Sequence, residues 1–406
     1  MKIGLLAYHS ACNMGATLQL LSSYSYLKNN GHTPIVVNWV AEDLEKMYEN
    51  AVPDEQKELQ IQLRAALWHE TELCRTSEDV ARVIKKEGIQ AVIVGSDAVA
   101  QNHPELERLR IDRRRLIRVG EITSDRVFPN PFWGVFNNYL DEPIPVAMLS
   151  GSSQDSHYRL ITSAQRKQMN LAIKNFRYIS VRDSWTRDMI TYITSNEIVP
   201  PVTPDPVFAF NYNAGHLIPS RQTILNKFHL PDNYFVFSFL SSSDVSQKWL
   251  SEFERISATN DIACVSLPFA HQYSFGQFGY QIDIPLSPID WFALIKYSRG
   301  YIGNNMHPII VSIHNNVPFF SFDNYGICYF HNFITSDKSS KILHILRKAG
   351  LDEFRISVIN RHKNIPSPNE VFNKLNSFPL DKEIAFAAEW QNEYVNMMQQ
   401  IISRLQ

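Results

Sequence analysis

The chain has 406 residues, 44% of them hydrophobic and 20% charged, which excludes a disordered or fibrous protein and suits two or three packed domains. Its 39 Lys and Arg against 41 Asp and Glu leave a net charge of −2, which excludes a uniformly basic nucleic-acid binder. Cys12, Cys74, Cys264 and Cys328 are far apart and form no CxxC pair, so neither a disulfide framework nor a zinc cluster is expected and a reducing cytoplasm fits best.

No apolar run reaches the roughly 18–20 residues of a membrane span. The apolar start is too brief for a signal peptide and reads as a strand buried on both faces, residues 3–8. A turn at His9–Gly15 leads into a helix over 16–28, stopped by Asn30-Gly31, and a second strand over 33–39. Residues 41–87 are polar and predict helices at 43–50, 54–68 and 77–87. Residues 89–94 form a buried strand ending at Gly95-Ser96-Asp97. Parallel α/β sheets bind ligands beyond the carboxyl ends of strands, so the ends near Asn13 and Asp97 point to one cleft.

An insertion at 101–126 interrupts the pattern and gathers Arg108, Arg110, Arg113, Arg114, Arg115 and Arg118. This basic run is either a solvated face or a place where a phosphate-rich or lipid-linked acceptor meets the protein, with peripheral membrane association through Arg108–Arg118. Beyond it follow a strand at 145–149 ending at Ser150, a helix over 162–176, a strand at 178–181 ending at Arg182-Asp183, and a helix over 184–193. Residues 202–205 close the first domain.

A second α/β pattern starts near Tyr234, with a strand at 234–240, Ser241–Ser243 at a helix start, a helix at 245–257 and a strand at 262–267. Ser287-Pro288-Ile289-Asp290 opens another helix, with an acidic N3 that could reach back to the cap. A short strand at 300–303, a helix at 308–315, a strand at 317–322 and a long amphipathic helix at 381–405 complete the reading. The expected fold class is α/β, with two facing Rossmann-like domains, 1–212 and 213–380, and the carboxyl-terminal helix 381–406.

Several residues carry candidate chemistry, each beside a plainer reading. Asn13–Gly15 could hold an anion at a helix start or be a capped βα turn. Arg182, at a strand end, could grip a carboxylate or phosphate, or pair with Asp183. Asp205, between Pro204 and Pro206, is either an aimed carboxylate or a turn residue bonding its own backbone. His307, ahead of Pro308 at a helix start, would have its pKa lowered by the helix dipole and could act as general base, or could be a capping histidine. Asp97 could bind sugar hydroxyls or cap a helix, and Ser241–Ser243 could cradle a phosphate or cap theirs. His314 reads as structural.

Taken in order, the motifs resemble the polysaccharide pyruvyl transferase family. Asn13-Met14-Gly15-Ala16-Thr17-Leu18-Gln19 looks like its N-x-G-A-x-L-Q signature. Val94–Asp97 looks like V-G-S-D, Ser180–Ser184 like S-x-R-[DE]-x-S, Asp205-Pro206 like D-P, and Asp290–Asp323 like the carboxyl-terminal block. The resemblance implies a GT-B-like architecture and transfer of pyruvate from phosphoenolpyruvate onto a sugar hydroxyl pair, with no cofactor and no metal. The acceptor would be a nucleotide- or lipid-linked saccharide of surface polysaccharide synthesis, handled in the cytoplasm or at the inner face of the membrane.

Within it, His307, Arg182 and Asp205 are the expected catalytic residues, and Asn13, Gly15, Gln19, Asp97, Ser150, Ser241 and Asn305 the expected substrate contacts. Two departures stand out: Ala98 and Ala100 after the V-G-S-D end, and Asn305 where many members carry a basic or small polar residue. They keep two rivals open, a GT-B glycosyltransferase using a nucleotide sugar and a non-catalytic saccharide-binding relative.

Overall fold

The apolar amino terminus forms β1 (Lys2–Leu6), four of whose five residues are buried, as a strand covered by helices on both faces requires. The computed structural model describes residues 1–111, 117–242, 244–329, 334–359 and 365–406. In chain order the first half adds β2 (Thr33–Val36), β3 (Ala91–Asp97), a small antiparallel pair of β4 (Leu109–Ile111) and β5 (Ile117–Val119), then β6 (Val146–Gly151) and β7 (Phe176–Val181). Apart from that pair they form a parallel sheet in the order β2-β1-β3-β6-β7.

The second half supplies β8 (Tyr234–Ser238), β9 (Ala263–Ser266), β10 (Tyr280–Gln281), β11 (Gly300–Gly303), β12 (Phe319–Asp323), the antiparallel pair β13 (Ile327–Tyr329) and β14 (Ile334–Ser336), and β15 (Arg355–Ser357). Its six-stranded parallel sheet runs β10-β9-β8-β11-β12-β15. Strands β10 and β15 and the helices Lys341–Ala349 and Pro368–Asn376 were not expected from the sequence.

Other differences have local causes. Residues 202–205, which close the first half, add only one bridge to the sheet, Val181 with Val202, because Pro204 and Pro206 offer no N–H to a ladder. Asp290 does not reach back to the cap backbone. Its carboxylate accepts from the Ser287 hydroxyl at 2.7 Å and from Lys227 at 2.8 Å instead.

The helix Met14–Asn29 is buried from Met14 to Leu27, serines included. It is covered by the first sheet on one side and by helix Pro288–Lys296 of the second half on another. Two of its buried serines are satisfied: Ser22 Oγ donates to the Pro206 carbonyl at 2.7 Å and Ser23 Oγ to that of Gln19 at 3.0 Å. Gln56 joins the halves through a pair of bonds to the Leu286 backbone, 3.0 and 2.8 Å.

The helix Leu380–Leu405 lays Tyr394, Met398, Ile401 and Leu405 into the core, and its Met397 sulfur accepts from Ser150 and Ser180 of the first half. Among the described residues no helix is long and apolar enough to cross a membrane.

Candidate active site

His307 is the second residue of helix Met306–His314, which follows β11 by way of Asn304 and Asn305. Its imidazole lies against the Cα of Gly15, where a Cβ would stand 2.1 Å from both Cγ and Nδ1. The close approach that a glycine permits is therefore taken by a side chain from the other half, not by a ligand. A cleft of about 340 Å³ opens at this contact. Asn13 and Tyr48 line it from the first half, and Leu240, Phe269, Trp291 and Asn305 from the second.

Behind the ring, Asp205 Oδ2 stands 3.8 Å from His307 Nε2, beyond hydrogen-bond length, and Nε2 is buried without a partner. The same oxygen accepts from Gln19 Nε2 at 2.5 Å and from Arg182 Nη1 at 2.9 Å. Oδ1 accepts from the Val207 backbone at 3.0 Å, so Asp205 is both a turn residue and a carboxylate aimed at His307. Arg182 Nη2 donates to Asp97 Oδ1 at 3.2 Å. The guanidinium is 1% exposed.

The charges tune one another. Burial pulls the His307 pKa down to about 4, against the pull of Asp205 and Asp97. Burial is the leading cause of a neutral imidazole. For Asp97, burial pushes upward, yet the Arg182 and Lys341 charges win and its pKa is lowered. For Arg182, burial acts downward and is overcome by Asp97 and Asp205, which raise it.

Four sequence expectations need correction. Arg182 pairs through Nη1 and Nη2 with Asp205 and Asp97, Nε staying without a partner, and not with Asp183, whose carboxylate caps the next helix through Thr186 N at 2.7 Å. Gln19 is 2% exposed and bonds Asp205, so it is a positioning residue and no substrate contact. Ser150 is fully buried and donates to the Pro204 carbonyl at 2.6 Å, tying β6 to the chain before Asp205. Ser241 does not open a helix: that helix is Gln247–Ala258, capped by Ser246. Ser243 lies outside the described residues, as do Arg113, Arg114 and Arg115.

The remaining expected residues sort by position. Asn13 caps its helix, Oδ1 accepting from Gly15 N at 3.0 Å and Ala16 N at 3.3 Å, which occupies the donors expected to hold an anion. Asp97 caps nothing and faces Arg182. Asn305 is the N-cap residue by position, makes no side-chain cap bond and lines the cleft. Ala98 and Ala100 are core residues. His314 accepts from the Asn211 backbone at 3.1 Å, a structural bond. Arg108 Nη1 donates to the Gly120 carbonyl at 3.1 Å.

A charged residue near this site escaped sequence reasoning. Lys341, 6% exposed at the start of helix Lys341–Ala349, sits with its ammonium 4.8 Å from the Tyr325 ring centre. Its charge acts on His307 and Asp97. Ser340 before it is a recognisable N-cap signal, but nothing local marks the lysine as part of a site 34 residues from His307 (341 − 307).

A family model for polysaccharide pyruvyl transferase matches residues 13–325. No curated protein matches the sequence. Among solved structures, the UDP-GlcNAc 2-epimerase from Neisseria meningitidis bound to UDP-GlcNAc is similar at 10% identity and a TM-score of 0.52, covering 99% of this chain and 100% of that one. UGT89C1 of Arabidopsis thaliana, complexed with UDP-L-rhamnose, is similar at 8% identity and a TM-score of 0.51, covering 100% and 99%. The fold is thus α/β of the GT-B kind, with a long carboxyl-terminal helix.

Proposed function

The chain belongs to the polysaccharide pyruvyl transferase family, and from that premise we propose that it moves pyruvate from phosphoenolpyruvate onto two hydroxyls of a saccharide as a cyclic ketal. The observation that carries this reading is the His307–Asp205 pair at a cleft between the halves, with a neutral imidazole and a carboxylate behind it.

Asp205 faces Nε2 and favours the tautomer protonated there, which leaves the Nδ1 lone pair for a substrate hydroxyl. One sugar oxygen bonds to C2 of the enol as C3 takes a proton. The second oxygen then bonds to C2 as the C2–O bond to phosphate breaks. Of the two hydroxyl protons, one ends on the new methyl group and the other on the released phosphate. His307 is the group that shuttles them, a role typically worth about 10²–10⁴ in rate.

The aromatic walls formed by Tyr48, Phe269 and Trp291 suit the apolar face of a sugar ring. We take the acceptor to be a nucleotide- or lipid-linked saccharide of surface polysaccharide synthesis, met on the cytoplasmic side. Arg108 and Arg118 would favour an anionic membrane face.

The test is incubation with phosphoenolpyruvate and a panel of such saccharides. The reading expects phosphate release in step with a product that has gained pyruvate less water. Release of a nucleoside diphosphate from a nucleotide sugar, with no ketal formed, would favour a glycosyltransferase instead. Saccharide binding without any turnover would favour a non-catalytic relative.

A further inference from the structure

The proposed donor brings a carboxylate and a phosphate into a small space, and such a donor needs cations. Among the described residues lining the cleft none is Lys or Arg, so the charge must come from a residue set behind its walls. Arg182 lies behind His307, with Nη1 and Nη2 held by Asp205 and Asp97 and only Nε left without a partner. Lys341 differs from it. Among the described residues its ammonium makes no hydrogen bond and no ion pair, and it lies over the face of Tyr325. Lys341 is 6% exposed, and an ammonium largely withdrawn from water that meets no protein acceptor is an arrangement that an anion would relieve.

The lysine is also held in place. Ser340 Oγ donates to Asp323 Oδ2 at 2.5 Å, and Arg355 bonds the same oxygen at 2.6 Å and Asp337 at 3.0 Å. This fixes the start of the helix against the end of β12. The neighbouring Ser339 keeps a buried hydroxyl without a partner, a second idle group at the same turn.

Resting on the pyruvyl-transfer reading, we propose that Lys341, outside the family-matched segment, is the cation that receives the anionic oxygens of the donor. Its helix packs against helix Met306–His314, which carries His307, so the charge comes from the second half to the side of that histidine.

The test is titration calorimetry of the full chain with phosphoenolpyruvate, and separately with inorganic phosphate and with pyruvate. Wild type is compared with Lys341→Met, which preserves length, and with Lys341→Arg, which preserves charge. Melting temperature without ligand establishes that each variant is folded. The inference expects Lys341→Met to weaken phosphoenolpyruvate binding by roughly tenfold or more, the loss of a charged hydrogen bond, and Lys341→Arg to recover part of it. The single-anion probe that loses most in Lys341→Met identifies the group held. Unchanged phosphoenolpyruvate binding in folded Lys341→Met overturns this inference alone. No phosphoenolpyruvate binding by wild type overturns the donor reading, and this inference with it.

Discussion

Gly15 and His307 touch across the two halves with no room for a methyl group between them, since a Cβ on Gly15 would fall 2.1 Å from the ring. The glycine sits at the start of a helix otherwise buried along its length, and the histidine at the start of a helix from the opposite sheet. The contact itself sets the distance between the halves at the floor of the cleft.

Gly15→Ala should therefore cost activity far more than stability. Alanine is the better helix former, so the local helix gains slightly while His307 must leave its place. A fall in kcat of roughly 100-fold or more is expected, the low end of what a displaced general base loses. Steady-state phosphate release and a melting curve measure the two effects separately.

The pH profile of kcat/KM should be a plateau. His307, with its pKa near 4, is neutral across it, and activity falls only as the imidazole protonates at low pH. At the upper end Lys341 has a pKa pulled down to about 8 by burial first and then by Arg182, while Asp97, Asp183 and Asp205 pull it up. Activity should decline above that value as the ammonium loses its proton. In Lys341→Arg the alkaline fall should vanish, because guanidinium does not titrate there. An unchanged alkaline limb in that variant would separate the limb from Lys341.

Arg182→Met should be the most damaging substitution in the network. It strands the Asp97 and Asp205 carboxylates in a buried site, and breaking such a cluster costs about 3–5 kcal/mol. Arg182 helps hold the Asp97 pKa down, so its contribution is present above the ordinary carboxylate range and is lost as pH falls through the lowered value. Denaturant melts should show a large deficit for the variant at pH 7 that shrinks towards acid.

Glu383→Gln should stabilise the protein. Glu383 is fully buried with neither carboxylate oxygen bonded, and burial raises its pKa to about 9. A carboxyl kept neutral when folded but free to ionise when unfolded loses stability as pH rises from its unfolded value towards its folded one. The gain from glutamine should be on the order of 2–3 kcal/mol at pH 7 and fade near pH 4, as read from melts at both values.

Much of the fold was legible from periodicity and caps. Helix Ser184–Ile193 and the Ser287–Pro288 helix start fall where the sequence puts them. The candidate site was legible residue by residue, but its wiring was not. Asp183 follows Arg182 in sequence and invites a pairing, yet it turns away to cap a helix. The real partners, Asp97 and Asp205, stand 85 and 23 residues off. Gln19 reads as a helix residue of the opening signature and Ser150 as a strand-end residue, and only packing reveals that they hold Asp205 and its approach. Lys341 escaped because an ammonium across the domain boundary leaves no local periodicity or motif to read.

The most direct test of the account is the rate of phosphate release from phosphoenolpyruvate, with an accepted saccharide, in His307→Ala against wild type. The pyruvyl-transfer mechanism predicts a fall in kcat of about 10²–10⁴ with phosphoenolpyruvate binding kept within a factor of about two. A His307→Ala enzyme that turns over at the wild-type rate would contradict it.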